Sequence, residues 1–407
     1  MEVMQEKYKD TKVGRIPMDW EVMKLSEVVD ILNNKRKPLN SSHRNLISGD
    51  VPYYGANGQV DSINDFIFNE PLILMAEDGG NFSDYAFRHI AYKISGKSWV
   101  NNHAHVLKPK SAFDFDYVFY DLEHKNILRF INGSTRTKLN QGDLKGILLK
   151  IPPLPEQQKI AAILSTVDEQ ISSTDKIIEK SKELKKGLMQ KLFSEGIGHT
   201  EFKDTKIGRI PKDWEVLKIS KVADCYGGTT PSTAVEEYWN GDVLWATPSD
   251  ITKNKSEFLL DTNRKITEQG RVSKNLRFVQ KNGLLMTSRA SIGFLNISNG
   301  DVVTNQGFIN IECKANYHYK FFYYWILDNR KKLLSLSQGS TFLELNRKTF
   351  AKINIPFPQL PEQQKIAAIL SEADAKIEKE QTQKAQLEAL KKGLMQQLLT
   401  GKKRVKV

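Results

Sequence analysis

The sequence predicts an α+β protein in which two α/β domains alternate with two long helices. Three observations support this fold class. Segments at both ends of each half are repeated, one pair of repeats carries helical periodicity, and the stretches between repeats are rich in short β-type runs and turn residues. Two equivalent helices bury their apolar stripes best against each other. The repeat therefore predicts antiparallel, coiled-coil-like helices and two domains related by a pseudo-twofold axis.

The duplication is visible in two pairs of segments. Residues 8–22 return as residues 202–216, and residues 154–165 return as residues 360–371. The interiors 23–132 and 217–338 barely resemble each other. We therefore expect a first domain at 1–153, a first helix at 154–198, a second domain at 199–359, and a second helix with a basic tail at 360–407.

Each long helix has a clear start. Pro152 and Pro153 end the preceding strand, Pro155 suits the first helical turn, and Glu156 is well placed for the helix dipole. Apolar residues then recur at spacings of four and three, which predicts a helix–helix stripe formed by Ile160, Leu164, Val167, Ile171, Ile178 and Leu188, and in the copy by Ile366, Leu370, Ala373, Ile377, Leu387 and Leu394.

Polar residues interrupt the stripe, among them Lys185, Lys384 and Lys391, so an ordinary amphipathic surface helix is the alternative interpretation. Gly187 and Gly393 inside the pattern suggest a close helix approach or a bend. A helix of about 38 residues is roughly 57 Å long.

The sequences of the two inserts predict small α+β domains with long polar loops. Short β-type runs at 90–94, 284–287, 302–304 and 308–311 alternate with clusters of Gly, Asn, Asp and Ser. Four tryptophans are assigned to hydrophobic cores: Trp20, Trp99, Trp214 and Trp245.

Composition excludes several classes of protein. The 407 residues are 40% hydrophobic and 27% charged, as in folded proteins, and no apolar run approaches the roughly 18 residues of a membrane span. Two cysteines imply neither a disulfide framework nor a cysteine-based zinc site. Because the sequence shows no apolar run of membrane-spanning length, a cytoplasmic location is expected. The net charge is +12, and residues 205–360 carry +8 of it, which invites a polyanionic partner.

Catalytic signatures are missing from the sequence. Residues 91–98 resemble a phosphate-binding loop but begin with Ala91 where the turn needs Gly. His103 and His105 lack further ligands at metal spacing, so polar or packing roles are expected and no metal is predicted. Glu77 and Asp78 lie beside glycines, where a solvated turn is expected. The chain is therefore predicted to be non-catalytic.

The repeated pattern resembles the specificity subunit of type I restriction-modification systems. It consists of K-x-G-x-I-P-x-D-W, a variable region, G-S-T, then I-P-x-P-x-x-x-E-Q-x-x-I-A-x-I-L and a long helix, all given twice. The second insert adds the strings at 244–250, 288–293 and 304–308, and the first insert has looser counterparts at 52–58, 75–80 and 101–105.

This resemblance implies two target-recognition domains that read unlike half-sites of an asymmetric, bipartite target in double-stranded DNA. The helices would then be conserved spacers that set an unread gap, with the half-sites no more than about 17 base pairs apart. It also implies two modification subunits, which use S-adenosylmethionine, and two restriction subunits, which use ATP and Mg²⁺, with no cofactor in this chain and no membrane partner.

Polar side chains in Gly-rich or family-matching loops are the candidates for base contacts, because Arg, Lys, Asn and Gln can pair with base edges. They are Lys35, Arg36, Asn57, Asn81, His103 and Arg136 in the first domain, and Thr229, Thr230, Ser249, Arg289, Asn305 and Gln306 in the second. Two other classes of function stay open: a single-chain methyltransferase or nuclease, and a coiled-coil scaffold that binds other proteins through its two variable domains.

Overall fold

The computed structural model describes residues 8–133, 137–289, 291–338 and 343–406. Their contacts divide the chain into two units. The first unit contains the chain up to Lys176 together with the stretch from Gln381 onwards, and the second unit is Ile177–Glu380. Each unit therefore contains one variable insert, the first half of one long helix and the second half of the other.

The first half of the chain contains twelve strands and five α-helices among the residues that the structure describes. The strands are Tyr8–Thr11 (β1), Gly14–Pro17 (β2), Glu21–Lys24 (β3), Val29–Ile31 (β4), Ser48–Gly55 (β5), Gly58–Ile63 (β6), Phe68–Asn69 (β7), Leu72–Ala76 (β8), Ala91–Ile94 (β9), Lys97–Val100 (β10), Ala104–Pro109 (β11) and Leu148–Ile151 (β12). The helices are Leu25–Val28 (α1), Ser41–Leu46 (α2), Phe115–Glu123 (α3), Gln141–Lys145 (α4) and Leu154–Glu195 (α5).

The second half of the chain begins and ends with the same elements, whereas its insert has a different order of strands and helices. The strands are Phe202–Thr205 (β13), Gly208–Pro211 (β14), Glu215–Lys218 (β15), Ala223–Tyr226 (β16), Trp239–Ala246 (β17), Phe258–Leu259 (β18), Lys265–Ile266 (β19), Leu284–Thr287 (β20), Leu295–Ser298 (β21), Val302–Thr304 (β22), Phe308–Cys313 (β23) and Asn354–Phe357 (β24). The helices are Ile219–Val222 (α6), Pro248–Lys253 (α7), Glu268–Ser273 (α8), Tyr319–Asp328 (α9), Arg330–Ser335 (α10), Arg347–Ala351 (α11) and Leu360–Leu398 (α12).

Two sheets form the centre of each insert. In the first unit their strand orders are β6-β5-β10-β7 and β4-β11-β8-β9, and in the second unit they are β19-β17-β22 and β16-β23-β20-β21-β18. Each unit also has a hairpin, β1 with β2 or β13 with β14, and a strand pair that closes the insert, β3 with β12 or β15 with β24. The predicted α+β class with a duplicated frame is confirmed.

The predicted strands and core residues agree with the structure. The four β-type runs in the inserts correspond to β9, β20, β22 and β23. Trp20, Trp99, Trp214 and Trp245 are all buried. The same apolar stripe that defines each long helix also packs against a domain, since Ile160 of α5 belongs to the core of the first unit.

Helices α5 and α12 contain 42 and 39 residues. The twelve apolar residues predicted to form the helix–helix stripe are all buried or half-buried. Within the first unit, Asp168 of α5 pairs with Lys391 at 2.8 Å and Asp175 pairs with Lys384 at 2.7 Å. From the first pair to the second, the residue number increases on α5 and decreases on α12, so these helix halves run antiparallel. The lysines that interrupt the stripe are thus partners in ion pairs.

A repeated polar cluster anchors each long helix to its insert. In the first unit, the hydroxyl of Tyr120 on α3 donates to Asp168 at 2.7 Å, and the ammonium group of Lys391 lies 5.2 Å from the Tyr120 ring centroid. In the second unit, Tyr324, Asp374 and Lys185 make the same contacts. The cluster shows that the duplication extends to side-chain geometry.

A glutamate near the start of each long helix accepts a tryptophan indole, and it is buried in the first unit and half-buried in the second. Glu156 accepts from Trp20 at 3.0 Å and from Arg404 at 2.8 Å, while Glu362 accepts from Trp214 at 3.0 Å. The basic tail is therefore partly engaged within the first unit.

The two helix glycines do not have the close helix approach that was one of their two sequence-based explanations. A β-carbon added at Gly187 or at Gly393 would meet no atom within 4 Å, so a close helix approach at these positions is not the reason for glycine. In the part of the chain that the structure describes, no helix combines the length and the apolarity that crossing a membrane requires.

Candidate nucleic-acid interface

The first unit brings five loops together, here named the first loop cluster: residues 33–36, 55–58, 77–81, 101–105 and 137–141. The loop after β8 lies at its centre. Arg36 donates to Glu77 at 2.7 Å, and Asn57 donates to the carbonyl oxygen of Gly79 at 2.9 Å. His103 lies 2.9 Å from a carboxylate oxygen of Asp78. Three predicted base-contact residues therefore converge on one loop.

Charges inside the first loop cluster are largely compensated. Burial raises the pKa of Glu77, but the hydrogen bond from Arg36 and the charges of His105 and Arg36 together hold it below its ordinary value. Burial lowers the pKa of His105, whose Nε2 lies 2.8 Å from the Leu139 carbonyl oxygen. The sequence-based expectation of a solvated turn at Glu77 and Asp78 is wrong, because both side chains are mostly buried and paired.

The remaining candidates of the first domain have different surroundings. Lys35 is exposed next to Arg36, whose side chain is only 12% exposed. Asn81 is half-buried and donates to the carbonyl oxygen of His89 at 3.1 Å, so its amide is directed into its own loop. Arg136 lies outside the described residues. Arg36 thus has an internal role that limits its availability, while Lys35 and Asn57 face solvent.

The second insert forms an equivalent second loop cluster: residues 227–230, 247–250, 288–289, 304–307 and 344–345. The amide of Thr229 donates to the carbonyl oxygen of Thr304 at 2.9 Å, and the hydroxyl of Thr230 donates to Gln306 at 2.6 Å. A β-carbon at Gly228 would lie 1.9 Å from the Thr304 oxygen, so this approach requires glycine.

The other second-domain candidates border the same surface. The hydroxyl of Ser249 lies 2.8 Å from that of Thr247 in the first turn of α7. The Asn305 side chain accepts from the Gly307 amide at 2.8 Å, which folds this loop back on itself. Arg289 forms an ion pair with Glu344 at 3.0 Å, and both side chains are nearly half exposed. All six predicted residues of the second domain are therefore part of one loop surface.

One backbone frame supports both clusters. A bridge joins Asp78 to Lys138 in the first cluster, and a bridge joins Arg289 to Glu344 in the second. At the first position of this bridge, the first cluster has the acidic residue Asp78 and the second cluster has the basic residue Arg289. The frame is thus shared while the side chains, and the order of their charges, differ.

Some candidate surface residues were missed by sequence reasoning. Arg264 is exposed and its guanidinium carbon lies 3.7 Å from the ring centroid of Trp239, a stacked arrangement that suits contact with a phosphate or a base. Lys138 lies 3.4 Å from Glu77 in the first cluster. No sequence motif marks either residue, because each gains its surroundings only from strand pairing.

The chain matches a known family over both halves. The family model described as the type I restriction modification DNA specificity domain matches residues 17–183 and again residues 211–389. A putative type I restriction enzyme MjaX specificity subunit from Methanocaldococcus jannaschii is 29% identical over 99% of this chain and 98% of its own length. The MjaIX specificity subunit from the same organism is 42% identical over 193 residues, which are 47% of this chain and 45% of that protein.

A solved structure shares the fold. The S subunit of a type I restriction-modification system from M. genitalium superposes with a TM-score of 0.61 over 97% of this chain and 99% of that chain, at 16% sequence identity. At this identity the likeness concerns the fold alone. It agrees with the architecture of two inserts and two long helices.

Proposed function

Since the chain belongs to the type I restriction modification DNA specificity family and carries two copies of its domain, we propose that it reads an asymmetric, bipartite DNA target, with one loop cluster for each half-site. The observation that carries the proposal is the shared loop frame with unlike side chains. In this proposal the repeated frame supports one recognition surface in each unit. The first surface carries Asn57 and the second carries Thr230 and Gln306, so each surface has its own hydrogen-bonding pattern.

The charge distribution supports contact with DNA. The second loop cluster belongs to the most basic part of the chain, and exposed cations such as Lys35 and Arg264 are suited to the phosphate backbone. Phosphate contacts position a duplex without reading its sequence, whereas amide and hydroxyl groups in the loops can select bases. Affinity should therefore fall steeply with salt, by about one power of the salt concentration for each phosphate contact.

The long helices offer a surface for partner subunits. Leu184 and Leu390 occupy equivalent positions 206 residues apart, and they are 64% and 50% exposed. One apolar position is thus presented twice, which suits the docking of two modification subunits. In this proposal S-adenosylmethionine binds to the modification subunits, ATP and Mg²⁺ bind to two restriction subunits, and the chain itself performs no catalysis.

Docking is tested by mass measurement of the reconstituted complex. Leu184→Asp or Leu390→Asp should each remove one modification subunit, and the double variant should remove both. Leu46→Asp is the matched control, since Leu46 is 85% exposed but lies in the first insert. Loss of a modification subunit in the control, or full assembly of the double variant, would argue against the helix surface.

Base reading is tested by exchanging an insert. Replacement of residues 23–132 by the insert of another family member should change one half-site of the methylated sequence and leave the other unchanged. A change in both half-sites would contradict one domain per half-site. Adding one helical turn to α5 should alter only the unread gap if the helices act as spacers. DNA binding by the complex that is absent or insensitive to salt would instead favour the scaffold interpretation.

A further inference from the structure

Two imidazoles and a buried carboxylate meet at the end of α3. His89, Glu123 and His124 each offer one ligand atom, and these atoms all lie within 4.8 Å of one another. The Nδ1 atom of His89 lies 2.9 Å from a Glu123 oxygen, and the two imidazole centroids are 4.7 Å apart. Glu123 is only 3% exposed, whereas His89 is 61% exposed. The group therefore has a buried base and an open side.

Backbone and side-chain contacts orient the three residues. The Nδ1 atom of His124 lies 2.7 Å from the carbonyl oxygen of Tyr85, and since a carbonyl only accepts, Nδ1 carries the proton. The lone pair of His124 is then on Nε2, which is the arrangement of most metal-binding histidines. The amide of Ile90 donates to the Glu123 carbonyl oxygen at 3.0 Å, which fixes the segment that carries His89.

Glu123 contacts Lys391 of the repeated helix anchor, but it has no counterpart in the second copy of that anchor. Lys391 pairs with Asp168 at 2.8 Å, as Lys185 pairs with Asp374 in the second unit. At the position equivalent to Glu123, the second unit has Leu327, as counted from the equivalent tyrosines of α3 and α9. Glu123 is therefore an additional buried carboxylate, and burying a carboxylate is costly unless it binds a cation.

A second cation is compatible with the surroundings. Lys391 donates to Glu123 at 3.0 Å and also pairs with Asp168. Lys391 therefore keeps a carboxylate partner when Glu123 binds a metal ion. The imidazoles of His89 and His124 line a cavity of about 680 Å³. This cavity leaves space for a water molecule or another small ligand next to the three protein ligands.

We propose that His89, Glu123 and His124 bind one Zn²⁺ ion, with the fourth coordination position open to the cavity. Two imidazoles and one carboxylate form a donor set that zinc accepts, with bond lengths of about 2.0–2.2 Å. Bound zinc ties the segment that carries His89 to the end of α3. It stabilises the first unit, because a ligand that binds the folded state shifts the unfolding equilibrium.

The test uses the full chain after treatment with a chelator and removal of that chelator. Titration with Zn²⁺ alone, in competition with a chromophoric chelator, should reveal one strong site. His89→Ala should weaken zinc binding by at least about 10–100-fold, the range seen even for residues that only support a ligand. His43→Ala is the matched control, because His43 is exposed on α2, and it should bind zinc like the wild type.

Two readouts distinguish zinc binding at these three residues from a general loss of stability and from zinc binding at the cysteines. Because Glu123 keeps its ion pair with Lys391, His89→Ala should lower the melting temperature without metal by no more than about 2–4 °C, and it should lose the whole increase that Zn²⁺ produces. Co²⁺ in place of Zn²⁺ should give visible bands without the thiolate charge transfer expected of Cys225 or Cys313. No zinc binding by the wild type, wild-type affinity in His89→Ala, or a thiolate signal would each overturn the proposal, and none depends on DNA recognition.

Discussion

Replacement of Arg404 by alanine tests how the basic tail completes the first unit. Arg404 donates to Glu156 at 2.8 Å and to Asp19 at 2.8 Å, and Glu156 is 2% exposed. The hydrogen bond from Arg404 also holds the pKa of Asp19 below its ordinary value. After Arg404→Ala, the indole of Trp20 is the one side-chain partner left to Glu156 among the described residues, and the countercharge is lost.

The size of the effect follows from burial. Removing one partner of a buried ion pair costs about 3–5 kcal/mol, and the partial exposure of Arg404 places the expected loss near 3 kcal/mol. For a unit of about 200 residues, each kcal/mol lowers the melting temperature by about 2–4 °C, so a decrease of about 6–12 °C is expected. Differential scanning calorimetry measures it directly.

The chain offers a control and a rescue for this experiment. In the second unit His199 contacts Glu362 at 2.9 Å, and since His199→Ala removes a single hydrogen-bonding group, it should cost only about 1 kcal/mol. Adding Glu156→Gln to Arg404→Ala should restore part of the stability, since a neutral amide needs no countercharge. A decrease below about 2 °C for Arg404→Ala, or one equal to that of His199→Ala, would refute the reasoning.

Three further predictions concern stability and reactivity. Gly187→Ala should raise the free energy of unfolding by about 1 kcal/mol in urea titrations, because a β-carbon there meets open space; a decrease would show that glycine is needed for another reason. Asp374→Asn should lower it by about 0.5–1 kcal/mol, since Asp374 is 43% exposed and Lys185 loses its ion pair; no change would mean that solvent replaces the pair. Burial raises the pKa of Cys225 and Cys313 to about 12, so a thiol reagent at pH 8 should modify them only after unfolding, and rapid modification of the folded chain would contradict this.

Much of the frame could be predicted from the sequence because it is repeated and periodic. The start of α5 follows from the prolines before it, and its apolar stripe follows from a spacing that only a helix brings to one face. The strands in the inserts were visible as short runs such as Leu284–Thr287. Local composition was sufficient for these elements because each is formed by neighbouring residues.

The arrangement of the loops could not be predicted in the same way. The contact of Asn57 with Gly79 depends on how strands of two sheets are placed, and no local pattern encodes it. The same holds for His89 with Glu123, which are 34 residues apart and meet only when the loop after β8 packs on α3. Histidines at short spacing drew attention to His103 and His105 instead, where one is paired with Asp78 and the other is buried.

The base-contact residues stay predictions, although the structure separates them by exposure. Lys35 and Asn57 are exposed, whereas Arg36 neutralises Glu77 and donates to three backbone carbonyl oxygens. A loop arginine such as Arg36 is thus a structural counterion, and its residue type alone does not make it a reader of bases. Only its partners in the folded chain distinguish the two roles.

The central claim is that two unlike recognition surfaces on one duplicated frame direct methylation to a bipartite target. Single-molecule sequencing of methylated adenines, in cells that make this chain together with its modification subunit, tests it most directly. We expect one motif with two different half-sites separated by a gap of fixed length and free sequence. A continuous or palindromic motif, or a pattern that does not change when residues 23–132 are exchanged, would contradict the account.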